Sequence, residues 1–261
     1  MAGGGRVLIV AGSDSGGGAG IQADIKTITM LGGYAMTAIT AVTVQNTLGV
    51  SAVHPVPPKI VAAQITVTLS DIGADIIKTG MLVDKDTIEA AADALESFDI
   101  PEVVDPVMVA KGGHALLADD AAAALIERFA KGAVILTPNL PEAEVLTGRT
   151  IRTESDMNAA VPALRALGAK NVLLKGGHLE GPRVVDLLIT RDEVVRFSDP
   201  RIETNATHGT GCTLASAIAA GMSFGLGPEQ AVRRARLFVR NAMVNAIPLG
   251  QGHGPLNHGA R

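Results

Sequence analysis

Short, unbroken apolar runs that stop at a glycine, an acid or a proline alternate with helix-period segments along the chain, and this alternation limits the folds open to it. Val7-Leu8-Ile9-Val10-Ala11 is the first run; unbroken apolarity marks a strand covered on both faces. Ile21, Ile25, Ile28 and Leu31 then mark one face of a helix. Met36 to Val44 reads as a second strand. Pro55, Pro57 and Pro58 break the chain before a helix to about Ser70, and Asp75-Ile76-Ile77-Lys78 is a third strand. Ile88, Ala91, Ala92 and Leu95 share a helix face, and strand ends follow at Val103-Val104-Asp105 and Val134-Ile135-Leu136. Thr153 to Leu167 is a capped amphipathic helix stopped by Gly168, and Val172–Lys175 is a strand. Val184–Ile189 and Val194–Phe197 read as an antiparallel hairpin, and Pro228 opens a last helix to about Asn245. The expectation is an α/β fold of three layers, α/β/α, with a mainly parallel central sheet and one late antiparallel hairpin. With no linker or low-complexity segment, residues 1–261 are expected to form a single domain.

Composition narrows the function. A net charge of −4, with acids and bases interspersed, argues against nucleic acid or an anionic membrane as main partner. A single cysteine fits a reducing, cytoplasmic setting. No apolar run is long enough for a signal-peptide core or a membrane span. Aromatics make up only 2% of the chain, so ring stacking on protein side chains will be scarce. The six histidines never pair at ligand spacing on a helix, which excludes a structural zinc site of that kind.

His208-Gly209-Thr210-Gly211-Cys212-Thr213 runs into the helix-forming Leu214–Ala220. A helix start after a tight turn leaves peptide N–H groups unpaired and favours an anion. Cys212 lies at that start, where the field is expected to lower a thiol pKa from roughly 8.5. The alternative is a glycine-rich turn with an inert, buried cysteine. An anion cradle beside a proton acceptor suits phosphoryl transfer to a hydroxyl, which is mostly positioning and charge stabilisation.

Gly12–Gly20 is glycine-rich but follows neither the dinucleotide spacing nor the P-loop pattern. Asp14 and Asp24 beside it would repel a pyrophosphate and suit a neutral ligand offering hydroxyl or amino donors. For Asp24, a solvated acid in the first helical turn is the alternative. Gln45 ends a strand, where open α/β sheets place ligands, and its amide could read a heterocycle edge or serve only as a turn residue. Asp105 and Glu142 at neighbouring strand ends could hold Mg²⁺, directly or through its waters. Asn139-x-x-Glu142 is equally a capping box. Lys-Gly-Gly-His occurs at Lys111–His114 and Lys175–His178, each able to offer a lysine to phosphate.

Together, Gly12–Asp24, Gln45-Asn46-Thr47 with Gly49-Val50, Asp105–Met108 and Thr137-Pro138-Asn139 with Glu142 form a pattern. With Lys175–His178, His208–Thr213 and the Gly252–His258 tail, it resembles the hydroxymethylpyrimidine/phosphomethylpyrimidine kinases of the ribokinase-like superfamily, in family order and over nearly the whole chain. The resemblance implies ATP-dependent phosphorylation of 4-amino-5-hydroxymethyl-2-methylpyrimidine to the monophosphate and then the diphosphate, in thiamine biosynthesis. It implies a pyrimidine pocket of Gly12, Ala19, Asp24, Gln45, Met81 and Val107. It implies an anion hole and base at Gly209, Thr210, Gly211 and Cys212, and Asp105, Asn139 and Glu142 organising Mg²⁺ and ATP. Lys175 would touch the transferring phosphates, and the protein would be a homodimer. Most of the superfamily carries aspartate at the position of Cys212. Where the family pattern suggests a lysine after Ala235, this chain has Arg236, and no site role is assigned to it. The alternatives are a pyridoxine/pyridoxal kinase and a non-catalytic pyrimidine-binding sensor; a thiol hydrolase pairing Cys212 with a histidine fits the glycines less well.

Overall fold

The computed structural model describes residues 5–108 and 121–260; the first Lys-Gly-Gly-His copy, Lys111–His114, lies outside them. In chain order the elements are β1 (Arg6–Asp14), α1 (Gly20–Met30), β2 (Tyr34–Asn46), β3 (Gly49–Pro55), α2 (Pro58–Asp71), β4 (Ile76–Thr79) and α3 (Lys85–Leu95). They continue as β5 (Glu102–Val104), α4 (Ala121–Leu125), β6 (Ile135–Leu136), α5 (Leu140–Thr147), α6 (Glu154–Arg165), β7 (Val172–Lys175), β8 (Arg183–Ile189), β9 (Val194–Pro200), α7 (Thr210–Ser223) and α8 (Pro228–Val244).

Among the described residues one nine-stranded sheet runs in the order β3-β2-β1-β4-β5-β6-β7-β8-β9, parallel from β2 to β7. The expected late hairpin is β8–β9, and β8 also pairs antiparallel with β7. The sequence reading missed a second antiparallel hairpin, at the opposite edge, β2 with β3. The side chains of β3 are half-buried at most and its polarity does not alternate, so it carries no core signature.

Strand β1 shows why the sheet is covered twice. Leu8 and Val10 pack into one core with Val61, Ile65 and Ile88, whereas Val7, Ile9 and Ala11 pack into the other with Ile28, Ala217 and Ile218. Side chains of a strand alternate between faces, so an unbroken apolar run feeds both layers. Helices α1, α7 and α8 pack together on one side; α2, α3 and α4 pack on the other. The periodicity reading of α1 needs one correction. Ile25 is 38% exposed, because the buried face is centred on Ala23, Asp24, Thr27 and Ile28.

Sequence neighbours of β1 lie on both sides of it, so the direction of sheet growth reverses there, and α/β sheets bind ligands beyond their carboxyl ends at such a point. The C-terminal tail is tied across the same end. His253 N–H donates to Thr47 O (2.9 Å), Gly254 N–H to Asn205 O (3.0 Å) and His208 N–H to Gly254 O (3.1 Å). His258 is buried with Nε2 2.9 Å from Thr213 Oγ1, at the start of α7.

Burial, reinforced by Lys26, pushes the His258 pKa down from 6.5 to about 4. The unfolded chain therefore takes up a proton that the folded protein refuses, and stability falls as pH drops from about 6.5 to about 4. His258→Asn keeps a hydrogen-bonding group near Thr213 but removes the titration. Denaturant midpoints measured from pH 7.5 to 4 should show the variant losing less stability than the parent, by up to about 3 kcal/mol.

Candidate active site

Beyond the carboxyl ends of the strands lies a cavity of about 690 Å³. Every strand from β1 to β7, except the edge strand β3, sends its last residues or the turn after it to the rim. Gly12 and Gln45 come from β1 and β2, Met81 and Val107 from beyond β4 and β5, and Asn139 and Lys175 from beyond β6 and the end of β7.

One end of the cavity is built around the start of α7. Gly209 takes φ +79°, and a Cβ there would lie 1.8 Å from the carbonyl oxygen of Gly18, so both conformation and space require glycine. Thr210 donates its hydroxyl to Thr207 O (3.2 Å), which locks the turn and leaves the peptide N–H groups to face a ligand. A Cβ on Gly211 would stand 3.4 Å from Lys175 Nζ and 3.7 Å from Asp105 Oδ2. The ammonium and the helix start therefore converge on one small volume.

Lys175 Nζ donates to Asp105 Oδ1 (2.9 Å) and lies 3.9 Å from Glu142 Oε2. Burial works against its charge, but the two carboxylates outweigh burial and raise its pKa above the ordinary lysine value. Asp105 Oδ1 also accepts from Thr137 Oγ1 (3.1 Å). Glu142 caps α5: its Oε2 accepts the Asn139 N–H (2.7 Å) and Asn139 Oδ1 accepts the Glu142 N–H (2.9 Å). The capping box is thus present. It consumes one oxygen of Glu142, and Oε1, like Oδ2 of Asp105, has no hydrogen-bond partner among the described residues. Burial pushes the Glu142 pKa up to about 7, with Lys175 opposing and Asp105 reinforcing. Among the described residues no three His, Cys, Asp or Glu side chains form a ready-made metal cluster.

Cys212 lines the cavity, but its chemistry differs from the expected low-pKa thiol. Burial pushes it up to about 12; Lys78 and a hydrogen bond from the Gly20 amide favour the thiolate, and Asp24 and Asp105 oppose it. The helix-start field is present, yet removal from water and two carboxylates outweigh it.

The other end is aliphatic and amide-lined. Gly12 packs against Met81, whose sulfur would stand 3.3 Å from a Cβ at residue 12. Ala19, Gln45, Met81 and Val107 reach the cavity, as expected for a flat neutral ligand. Asp14 does not offer its carboxylate to that ligand. Its oxygens accept the N–H groups of Gly16 (2.8 Å), Gly18 (3.0 Å) and Ala19 (2.8 Å) and contact His208 Nε2 (2.8 Å). Asp24, placed by the resemblance in the pocket wall, lies behind it. The carboxylate is fully buried, bonded to Lys78 Nζ (2.9 Å) and Ser216 Oγ (2.7 Å), and is not part of the lining. The solvated reading of Asp24 fails for the same reason.

Three residues received no site role from the sequence. Lys78 ends an apolar strand and is fully buried; burial disfavours its charge, but Asp24 raises its pKa above the usual lysine value. A lysine in a strand covered on both faces is itself a signal that an acid must be buried opposite it. His208 belongs to the glycine-rich motif, and only the fold brings Asp14 to it. Arg236 lines the cavity, paired with Asp186 and with Asp199 (2.6 Å). Asp186 in turn accepts the Gly176 N–H (2.8 Å), so Arg236 braces the loop that follows Lys175.

Comparison with known proteins agrees with this geometry. Residues 14–257 match the family model for phosphomethylpyrimidine kinase. The chain is 49% identical over 254 residues to hydroxymethylpyrimidine/phosphomethylpyrimidine kinase of Rhizobium meliloti, covering 96% of each chain. It is 52% identical over 255 residues to the thiamine biosynthesis bifunctional protein ThiED of Geobacter sulfurreducens, covering 97% of this chain and 52% of that one, so it spans about half that relative's length. The structure of an ADP complex of Bacillus subtilis pyridoxal kinase superposes with a TM-score of 0.91 at 38% identity, covering 98% of both chains. No helix among the described residues is long and apolar enough to cross a membrane. The parallel sheet with its carboxyl-end cavity and the glycine turn beside a buried lysine are, with these matches, sufficient to place the chain in the phosphomethylpyrimidine kinase family.

Proposed function

We propose that this chain transfers the γ-phosphoryl group of ATP to the hydroxymethyl oxygen of 4-amino-5-hydroxymethyl-2-methylpyrimidine, and then phosphorylates the resulting monophosphate, in thiamine biosynthesis. The observation that best supports the reading is the polarity of one cavity. An anion-holding end at Gly209–Gly211 and Lys175 is continuous with an aliphatic, amide-lined end at Gly12, Gln45, Met81 and Val107. Such a cavity suits a neutral ring with its alcohol pointing at a phosphate. A cytoplasmic homodimer of single kinase domains completes the reading; Val42, Val44 and Leu48, exposed on the β2–β3 hairpin, are apolar surface that a second copy would cover.

In the transfer the alcohol oxygen bonds to phosphorus as the bond to ADP breaks. The transition state of this chemistry is loose, with charge spread over the phosphoryl oxygens. The Gly209–Gly211 amides and Lys175 meet that charge, and Cys212, in its thiolate form, accepts the alcohol's proton. Asn139 and Lys175 face the nucleotide. Asp105 and Glu142, each with one oxygen uncommitted, fit Mg²⁺, which binds through one or two carboxylates and retained waters and neutralises phosphate charge. The Asn139–Glu142 box fixes the carboxylate that this role requires, so capping and metal binding are compatible.

A second reading, pyridoxal kinase, is favoured by the superposition on the Bacillus subtilis enzyme. Product formation from hydroxymethylpyrimidine, its monophosphate and pyridoxal at equal ATP separates the two. The proposal expects both pyrimidines to be consumed faster than pyridoxal; ADP released without any dependence on pyrimidine would count against it, and no turnover of any acceptor would leave a binding protein.

Removing the base typically costs roughly 10²–10⁴-fold in rate, so Cys212→Ala should lower kcat by that range. Turnover within a few-fold of the parent would remove Cys212 from the mechanism. Because only the thiolate is competent and the thiol pKa is about 12, kcat/KM of the parent should climb with pH between 7 and 9. The Cys212→Ala variant should lose that slope. Alkylation by iodoacetamide at pH 8 should be at least about tenfold slower than for a free thiol and should quicken as pH rises.

Glu142→Gln retains a residue suited to the capping box but removes the charge. It should fold with a stability close to the parent's and require several-fold more Mg²⁺ for half-maximal activity. An unchanged Mg²⁺ titration alongside a fall in melting temperature would restrict Glu142 to capping.

A further inference from the structure

The hydrogen bonds around Gln45 and His208 determine which way the glutamine amide faces. Asp14 Oδ2 lies 2.8 Å from His208 Nε2. That oxygen also accepts the Gly18 and Ala19 N–H groups, and Oδ1 accepts that of Gly16. Burial disfavours the charge, but the bond from His208 and those amides bring the Asp14 pKa below the usual carboxylate value. An ionised carboxylate can only accept, so His208 Nε2 carries its hydrogen.

One end of the Gln45 amide is 3.3 Å from that same Nε2. A group meeting an N–H must accept, and an amide NH₂ cannot. The amide oxygen therefore belongs on the His208 side and the NH₂ on the Thr43 side, where the other end of the amide lies 3.2 Å from Oγ1. Thr43 gives its own hydroxyl hydrogen to Ser13 O (2.9 Å), leaving lone pairs to accept from Gln45. The opposite orientation would set two donors against each other at His208. Amide orientation is decided by such partners, since oxygen and nitrogen are nearly equal in size.

We propose that the Asp14–His208 pair is a positioning device for Gln45, fixing the order of acceptor and donor that its amide presents in the cavity and so selecting 4-amino over 4-oxo pyrimidines. This rests on the pyrimidine reading of the cavity. A 4-aminopyrimidine edge offers a ring-nitrogen acceptor beside an amino donor, and a 4-oxo edge offers an N–H donor beside a carbonyl acceptor. The fixed amide retains one free N–H and one free oxygen lone pair, in an order that matches only one of these edges. An amide free to turn over matches either.

Calorimetric titration of the parent and of His208→Phe with 4-amino-5-hydroxymethyl-2-methylpyrimidine and its 4-oxo counterpart tests this without using turnover. The parent should prefer the amino compound by at least about a hundredfold, within the roughly 10⁴–10⁵ by which a site built to hydrogen-bond its substrate rejects an analogue that leaves buried groups unpaired. The variant should bring the two dissociation constants within about threefold, largely by gaining affinity for the oxo compound. An undiminished ratio overturns the proposal, including the case where both affinities fall together. Should His208→Phe not fold, long-range ¹H–¹⁵N correlation of the histidine rings in the parent decides it. Hydrogen on Nε2, in the neutral or the doubly protonated ring, is required, and hydrogen on Nδ1 alone refutes it. A parent that binds neither ring would strike the kinase reading, while the tautomer would still judge the orientation of Gln45.

Discussion

The carboxylate of Asp14 is the fastening on which the cavity depends. It collects three peptide N–H groups of the Gly12–Gly20 loop and one imidazole from the turn before α7. Those contacts bring two helix starts, α1 and α7, to the same place, with Gly209 against the Gly18 carbonyl and the Gly20 amide on the Cys212 sulfur. Each helix start carries partial positive charge, so holding them together costs electrostatic energy, which a buried anion between them offsets. The glycines are then a steric consequence, since larger residues would separate the two segments.

A second layer of charge lies directly behind. Asp24 on α1 bonds both Lys78 on β4 and Ser216 on α7. Ser216 follows Cys212 by one helical turn, on the same face. Lys78 and Lys175 thus flank the reacting end, each anchored by a carboxylate, Asp24 for the first and Asp105 for the second. Buried charges are tolerated only when paired, and here each lysine has its acid. The arriving phosphate is the remaining partner for the donors of Lys175.

Much of the fold was legible because its signals are local. The apolar runs at Val7–Ala11 and Val172–Leu174, the proline at Pro228 and the Asn139–Glu142 cap each report on a neighbourhood of a few residues. What escaped was set at long range. Edge strand β3 is held by ladder bonds to β2 rather than by apolar side chains. The Lys78–Asp24 and His208–Asp14 contacts join residues 54 and 194 positions apart. For the site, residue identities at the strand ends were readable from motif and chemistry, and Gln45, Met81, Val107, Lys175 and Cys212 do meet in one cavity. Charge states were not readable. The helix-start argument for Cys212 gave a lowered pKa, whereas burial of the sulfur, a property of the assembled cavity, raises it.

Burial of this end of the cavity has two opposite effects that belong together. Removing water from the glycine turn and from Lys175 strengthens their pull on a migrating phosphoryl group, because the same dipoles act in a medium of lower dielectric constant. Removing it from Cys212 disfavours the thiolate. The loss to the base is only partial: as a pKa rises, the competent fraction shrinks while the proton affinity of what remains grows, so much of the reactivity is retained. A loose transition state reduces the loss further, since the alcohol oxygen has gained little bonding to phosphorus there and its proton need not yet have left. A carboxylate at residue 212 would be charged at rest and would add a third anion to Asp24 and Asp105. A thiol avoids that repulsion at rest, and its minor thiolate form is the stronger base toward the substrate hydroxyl.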